Sequence, residues 1–194
     1  MLEEQPTRAS LKATVPYTWE DYPLEVPIKL EPTLEVVVEE SVHYQVIGPE
    51  AHDEWMYDSP HGEGTFRLGP NRHYSTIAMF HQLHCLRIFR GAIAAGPDYP
   101  MKLQRQHLEH CLNYLRETTL CAADLTLEPG DFAQRDFDLQ RTGATHMCRD
   151  YRELYKLSEN DWADWYVYMY RHNISLSELR EKQLKEIGEL ASIT

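Results

Sequence analysis

His81-Gln82-Leu83-His84-Cys85 is repeated 26 residues later as His107-Leu108-Glu109-His110-Cys111, so the chain contains the motif His-x-x-His-Cys twice. Each motif lies in a longer pattern with intervals of four, three and four residues: Ile77, His81, His84 and Ile88 in the first copy, and Leu103, His107, His110 and Tyr114 in the second. Residues at these intervals share one face of an α-helix. The repeat therefore predicts two amphipathic helices, each with two imidazoles in the middle of its apolar face.

The four motif histidines are candidate metal ligands. Two histidine pairs spaced i, i+3 on neighbouring helices can converge on a metal ion, as ligands do inside helical bundles. The alternative is that both helices use histidine as a half-polar core residue. A buried imidazole needs partners for both ring nitrogens, and the same spacing occurs twice, so metal ligation is favoured. The predicted ligand set, which forms either one four-histidine centre or two two-histidine centres, is His81, His84, His107 and His110.

The predicted fold class is mainly α with a small β element (α+β). The first motif helix is predicted to begin near Ser75 and to end near Ala95. The second is predicted to follow Gly96-Pro97-Asp98 and to end near Cys121. Because the connection is so short, we expect the two helices to be antiparallel neighbours.

The rest of the chain is predicted to surround this helix pair. Residues 1–33 are rich in proline and are predicted to form an extended arm, whereas residues 34–194 are predicted to form a single metal-binding domain. Short strands are predicted at 34–38 and 42–46, where β-branched residues alternate roughly with others. Glycines and prolines predict a long loop at 48–73.

Two capping patterns predict helices near the C-terminus. Ser158 with Asp161 precedes an aromatic-rich segment, and Ser175 with Glu178 precedes a segment with leucines on one side and dense charge elsewhere. Both pairs resemble a capping box. We expect these helices, together with the N-terminal arm, to pack on the motif helices.

The composition favours a folded, acidic protein. Hydrophobic residues make up 42% of the 194 residues, which suits one domain with a substantial core. The formal net charge of −12 argues against a nucleic-acid partner, because phosphate binding needs a basic patch and none is visible. The sequence contains no run of about 18 apolar residues, so it predicts neither a membrane span nor a secretory segment. Two locations stay open: the secretory or endomembrane lumen if a membrane anchor was removed, and a soluble location otherwise.

Four cysteines permit two disulfides. If the helix that holds Cys111 runs unbroken to Cys121, their Cα atoms lie ~15 Å apart, too far for a bridge that requires less than ~7 Å. The remaining pairings are Cys85–Cys111 with Cys121–Cys148, and Cys85–Cys121 with Cys111–Cys148. Metal ligation by thiolates and reduced buried thiols are the competing interpretations. Disulfides are favoured, which indicates an oxidising compartment.

The order of the motifs resembles that of a fungal protein family. The two His-x-x-His-Cys motifs are followed by Leu120-Cys121-Ala122-Ala123-Asp124 and by His146-Met147-Cys148-Arg149-Asp150. This order is similar to that of the fungal UstYa-like family, which is found in gene clusters for modified peptides and other secondary metabolites. The resemblance runs from about Tyr44, through Trp55, to Tyr151. Family members usually begin with a membrane-spanning helix, which this sequence does not show.

The resemblance implies oxidative tailoring of natural products. Family members are associated with macrocyclisation of ribosomal peptides, and with hydroxylation, desaturation and chlorination at unactivated C–H bonds; copper is implied for at least the halogenating members. The family's later motif falls on His146, Cys148, Arg149 and Asp150. We interpret His146 as a fifth metal ligand. Asp124, Arg149 and Asp150 are interpreted as groups that orient imidazole N–H bonds or form ion pairs, and structural salt bridges are the alternative.

The donor set favours copper over iron and zinc. Imidazole suits zinc, copper, iron and nickel, and divalent copper binds such ligands most tightly. Glu109 lies two residues from His107 and points away from the ligand face, which disfavours an iron site of two histidines and one carboxylate unless Asp124 or Asp150 reaches it. The motif also lacks the general base of the zinc sequence His-Glu-x-x-His. An all-histidine site with an exchangeable position predicts copper with O₂ as co-substrate; zinc and iron are the alternatives.

The predicted function is that of a copper-dependent oxidase, oxygenase or halogenase of fungal secondary metabolism. It would act with O₂ on C–H bonds of a small-molecule or peptide natural product, by hydroxylation, halogenation, desaturation or oxidative cyclisation. The alternative is a zinc-binding structural or interaction protein that assists a partner enzyme, because a closed four-ligand zinc site has nearly the same sequence pattern. The arm and the last helix are candidate contact surfaces for a homodimer or heterodimer.

Overall fold

A computed structural model of the chain describes residues 23–26, 28–69, 72–128, 134–175 and 177. Within these residues, the helices are α1 (Ala51–Tyr57), α2 (Ala78–Ala95), α3 (Met101–Ala122) and α4 (Arg152–Arg171). The strands are β1 (Leu34–Glu39), β2 (Thr65–Leu68), β3 (His73–Thr76) and β4 (Thr142–Cys148). The predicted α+β class is confirmed.

The strands form two small antiparallel sheets. β2 pairs with β3, which follows it directly in the chain. β1 pairs with the distant β4, so that Leu34 lies opposite Cys148 and Val36 lies opposite His146. The strand predicted at 34–38 is therefore confirmed as β1.

Two predictions for the N-terminal half are wrong. The strand predicted at 42–46 does not form, because Tyr44 has a left-handed backbone (φ 59°) and its N–H donates to Glu54 Oε2 at 2.8 Å. Residues 48–73 are not a loop, since they contain α1, a 3₁₀ turn at His61–Gly64, β2 and the start of β3. Short elements separated by single glycines and prolines are difficult to distinguish from a loop in one sequence.

The motif helices lie near their expected positions, but two predicted caps are wrong. α2 ends at Ala95, and α3 ends within one residue of the expected position. Ser75 is not the cap of α2, because it belongs to β3. Ser158 is fully buried inside α4, which begins seven residues earlier than the capping pattern suggested. Its expected partner, Asp161, instead accepts hydrogen bonds from Arg67 of β2.

Two predicted features cannot be compared with the fold. Residues 1–22 of the predicted arm lie outside the described residues, and so do Glu178 and the remainder of the predicted last helix. The described part of the arm at 28–33 contains neither helix nor strand. Within the described part of the chain, the helices are too short or too polar to cross a membrane.

The aromatic face of α4 packs on the β2–β3 sheet. The Arg67 guanidinium lies 4.4 Å from the centre of the Trp165 ring and pairs with Asp161 at 3.3 Å. The Arg72 guanidinium lies 3.8 Å from the centre of the Tyr168 ring. Such contacts between cations and aromatic rings are attractive, especially where they are partly desolvated. These aromatic residues therefore hold α4 against the sheet.

A left-handed turn before β2 fixes the start of α2. Gly64 has φ +73°, and a Cβ at this position would overlap the Phe80 ring. Its neighbour Glu63 is also left-handed (φ 56°), a conformation that is costly for a residue with a side chain. Because Phe80 directly precedes His81, this close approach positions the first motif histidine relative to the turn.

Candidate metal centre

α2 and α3 place the four motif histidines opposite one another. His81 faces His110, with ring centroids 5.5 Å apart and planes 25° apart. His84 faces His107, with ring centroids 5.4 Å apart and planes 27° apart. Residue numbers increase along α2 as they decrease along α3 in these pairs, so the two helices run antiparallel. Each facing pair contains one histidine from each motif.

The closest approach is between His84 and His107, whose Nε2 atoms lie 3.3 Å apart. Two nitrogens that bind one ion at tetrahedral distances of about 2.0–2.1 Å are separated by about 3.3–3.4 Å. The spacing of this pair is therefore compatible with two ligands of one ion. The same distance also suits a hydrogen bond from one Nε2–H to the other Nε2, so the spacing by itself does not require a metal.

The four imidazoles do not form one compact centre. The rings of His81 and His84, which belong to the same motif, have centroids 6.3 Å apart. Among the residues that the structure describes, no three or more histidine, cysteine, aspartate or glutamate side chains are arranged to hold a single ion. The geometry therefore fits two-histidine sites better than a four-histidine centre.

Burial keeps the α2 imidazoles in the form that binds metals. Burial is the largest cause that lowers the pKa of His81, followed by the charges of His110 and His107. Burial also lowers the pKa of His84, and the charges of Arg87 and His107 add to this effect. A neutral imidazole has a free lone pair, whereas an imidazolium has none. These two rings are therefore available as ligands at neutral pH.

The cysteines that end the two motifs contact each other. Cys85 and Cys111 are fully buried, and the Cys111 side chain forms a hydrogen bond with the Cys85 thiol. Burial, followed by this hydrogen bond, raises the pKa of Cys85 to about 12. All four cysteines are free thiols in this structure, with Cys121 exposed and Cys148 half-buried in β4. The predicted disulfides stay predictions.

His146 lies in a different environment from the motif histidines. Its Nδ1 is 2.8 Å from Asp124 Oδ2, and its Nε2 is 3.4 Å from Glu128 Oε1. The hydrogen bond with Asp124 is the largest cause that raises the pKa of His146. The pKa of Asp124 falls to about 2, chiefly because its carboxylate accepts hydrogen bonds from Thr126 and also because it pairs with His146. The structure thus places His146 between two carboxylates and not against the motif histidines.

The other predicted orienting groups also lie away from the motif histidines. Asp150 pairs with Arg152 at 2.6 Å, and the hydrogen bond with Arg152 is the largest cause that lowers the pKa of Asp150. Arg149 is exposed. Asp124 orients an imidazole, but that imidazole is His146. The ion pair of Asp150 with Arg152 corresponds to the alternative interpretation of Asp150, a structural salt bridge.

Two neighbours of the histidines were not predicted as site residues. The Tyr114 ring stacks on the His81 ring with centroids 4.2 Å apart. The charge of Glu63 raises the pKa of His84, against the larger effect of burial. The spacing of four residues from His110 was a usable signal for Tyr114. No local signal indicates Glu63, because its position depends on how the turn before β2 packs against α2.

The fold and the facing histidines define an α+β protein with a candidate metal site between two antiparallel helices. A family model described as "Mycotoxin biosynthesis protein UstYa" matches residues 33–165. The chain belongs to the UstYa family, as the order of its motifs suggested.

The chain is similar to several curated proteins, three of which follow. The chain is 28% identical over 123 residues to UstYa family oxidase phomYb of Diaporthe leptostromiformis, covering 56% of this chain and 49% of that protein. It is 35% identical over 86 residues to oxidase ustYa of Aspergillus flavus (44% and 40% covered), and 26% identical over 149 residues to oxidase ustYb of the same fungus (58% and 56% covered). The chain spans about half the length of the curated relatives it matches. No solved structure matches it.

Proposed function

We propose that this protein binds copper between α2 and α3 and uses O₂ to oxidise C–H bonds of a small-molecule or peptide natural product. The observation that carries the proposal is the His84–His107 pair, whose Nε2 atoms lie 3.3 Å apart. The relatives named as oxidases support an oxidative role. Copper held by imidazoles supplies a redox-active ion with affinity for O₂.

The histidines would act as two pairs, His84 with His107 and His81 with His110. Each pair supplies two ligands and leaves coordination positions for exogenous groups, which an oxidase requires and a closed structural site lacks. His110 is exposed, so a substrate can approach this pair from solvent. Burial of His81 and His84 keeps their lone pairs available at neutral pH.

Hydroxylation, halogenation, desaturation and oxidative cyclisation are the candidate reactions. They differ in their requirements, because halogenation consumes a halide and hydroxylation incorporates an oxygen atom into the product. Incubation of the copper-loaded protein with the intermediate of its gene cluster, with and without chloride, followed by product mass, separates them. The proposal expects a product whose mass shows oxidation and whose formation requires both copper and O₂.

We further propose that Cys85 and Cys111 form a disulfide in an oxidising compartment, with Cys121 paired to Cys148. The contact between the two buried thiols supports the first pairing. Oxidation of two thiols releases two protons and two electrons, which a small disulfide such as oxidised glutathione accepts. The bond would prevent these thiols from competing for copper. Peptide mapping without reduction should recover the Cys85–Cys111 link; a Cys85–Cys121 link would contradict it.

A zinc-binding structural or interaction role is the second candidate. The 3.3 Å spacing of the His84 and His107 nitrogens favours it equally, because tetrahedral zinc has the same nitrogen distances. Elemental analysis and electron paramagnetic resonance of the purified protein distinguish the two. Copper(II) gives a resonance signal, zinc is silent, and an iron site would appear in the elemental analysis. Bound zinc without oxidising activity in a copper-loaded sample would overturn the oxidase proposal.

A further inference from the structure

Tyr114 is the closest aromatic neighbour of the first motif histidine. It lies on α3, four residues after His110, and its ring stacks on the His81 ring with centroids 4.2 Å apart and planes 29° apart. The same ring lies 6.1 Å from the His110 ring, at 21°. The three rings therefore form one cluster, in which His81 and Tyr114 are half-buried and His110 is exposed, and Tyr114 contacts the histidine pair from the side of its own helix.

Among the residues that the structure describes, none gives the His81 imidazole the polar support that a metal-binding histidine ordinarily has. Such a residue usually donates its second ring N–H to a carboxylate or a carbonyl oxygen, which fixes the orientation of the ring. His146 has this support from Asp124, at 2.8 Å. Within the described residues, the His81 ring makes no hydrogen bond, and its contacts are with other rings, of which Tyr114 is the nearest. Stacking on Tyr114 is therefore the contact best placed to orient the His81 ring.

We propose that Tyr114 is a positioning residue, whose ring holds the His81 imidazole in the orientation in which it faces His110. The inference rests on the proposed function, since the pair that Tyr114 supports is a proposed copper pair. Stacking depends on the planar ring and not on the hydroxyl group. Phenylalanine should therefore replace Tyr114 in this role, whereas a residue without a ring should not.

Four variants of the full chain separate the ring from the hydroxyl group and from general packing. Tyr114→Phe keeps the ring, and Tyr114→Leu and Tyr114→Met keep apolar bulk without a ring. Leu112→Ala is the control, because it shortens a side chain that is 61% exposed on the same helix. Copper(II) affinity is measured by chelator competition, the ligand environment by electron paramagnetic resonance, and the ring contact by nuclear magnetic resonance of the metal-free protein.

We expect Tyr114→Phe and Leu112→Ala to bind copper as the parent does. Tyr114→Leu and Tyr114→Met should weaken copper affinity by about 10- to 100-fold, the usual effect of removing a group that orients a ligand. Their resonance spectra should change, and the ring-current shift of the His81 protons should disappear. The metal-free spectra show whether α2 and α3 remain folded in each variant.

Unchanged copper affinity and spectra in both ring-free variants would overturn the positioning role. An equal loss in Tyr114→Phe would also overturn it, because the hydroxyl group would then be responsible. These results would leave the proposed function intact, since the parent still binds copper. A parent chain that binds no copper would instead overturn the proposed function, and with it any role of Tyr114 toward the metal.

Discussion

Histidine side chains have two electrostatic environments in this protein. Burial lowers the pKa of His81 and His84, whereas the hydrogen bond with Asp124 raises the pKa of His146. A neutral imidazole binds a metal, and an imidazolium pairs with carboxylates. The sequence suggested one ligand set that included His146, because residue type and spacing do not reveal which groups surround a ring after folding.

We expect copper binding to persist at a pH at which an ordinary histidine is already partly protonated. Because the pKa values of His81 and His84 are lowered, these rings stay neutral at a pH at which an exposed histidine is already protonated. Copper affinity, titrated from about pH 8 to about pH 5, should therefore decline only below about pH 6.5. A loss of most of the affinity above about pH 7 would contradict this expectation.

Asp124→Asn should reduce the free energy of unfolding in a limited pH range. The pKa of His146 is raised in the folded protein. Its contribution to the free energy of unfolding is therefore complete below the unfolded pKa of histidine, and it is lost as the pH rises through the folded pKa. The pKa of Asp124 in the folded protein is about 2. Its contribution to the free energy of unfolding is therefore complete above the unfolded pKa of aspartate, and it is lost as the pH falls through the folded pKa.

The effect of Asp124→Asn should therefore be largest between about pH 4 and about pH 6.5. Urea unfolding of the parent and the variant at about pH 5 and about pH 9 measures the difference. We expect a larger difference at the lower pH. A difference that is the same at both would show that the His146–Asp124 contact does not contribute through its charges.

Among the helices and strands, those with local signals could be predicted from the sequence. The periodic residues of α2 and α3 predicted both helices. Gly96, which has φ +52°, was the local signal for the end of α2. The short connection also implied antiparallel neighbours. β4 could not be predicted, because its hydrogen-bond partner is the distant β1. The position of Glu63 near His84 was likewise hidden, since it depends on the packing of Gly64 against Phe80.

The left-handed turn before β2 should tolerate no side chain at Gly64. Gly64→Ala would place a Cβ against the Phe80 ring at φ +73°, which combines backbone strain with overpacking. We expect a loss of about 2–5 kcal/mol in the free energy of unfolding. Urea denaturation measures the change. A Gly64→Ala variant as stable as the parent would show that the turn adapts easily.

Gly91→Ala is the matched control for this substitution. Gly91 lies inside α2, and nothing is within 4 Å of a Cβ added there. The same chemical change should therefore stabilise the helix, by about 0.5–1 kcal/mol. Opposite signs for the two variants would show that the location of the glycine, and not the added methyl group, determines the result.

At the scale of the whole molecule, the region that matches the UstYa family model contains most of the described fold. Residues 33–165 include both sheets, α1 to α3 and most of α4, so the matched region contains both histidine pairs and the His146–Asp124 contact. A homodimer or heterodimer through the arm or the last helix stays a prediction, which the molecular mass in solution would test.

Copper occupancy of two variants tests the central claim most directly. The double variant His84→Ala/His107→Ala removes the closest facing pair, and His146→Ala removes a histidine whose Nδ1 pairs with Asp124. Copper per chain, measured by elemental analysis after equal loading, should fall in the double variant and stay at the parent value in His146→Ala. Full occupancy in the double variant, or an equal loss in His146→Ala, would contradict a copper site between α2 and α3.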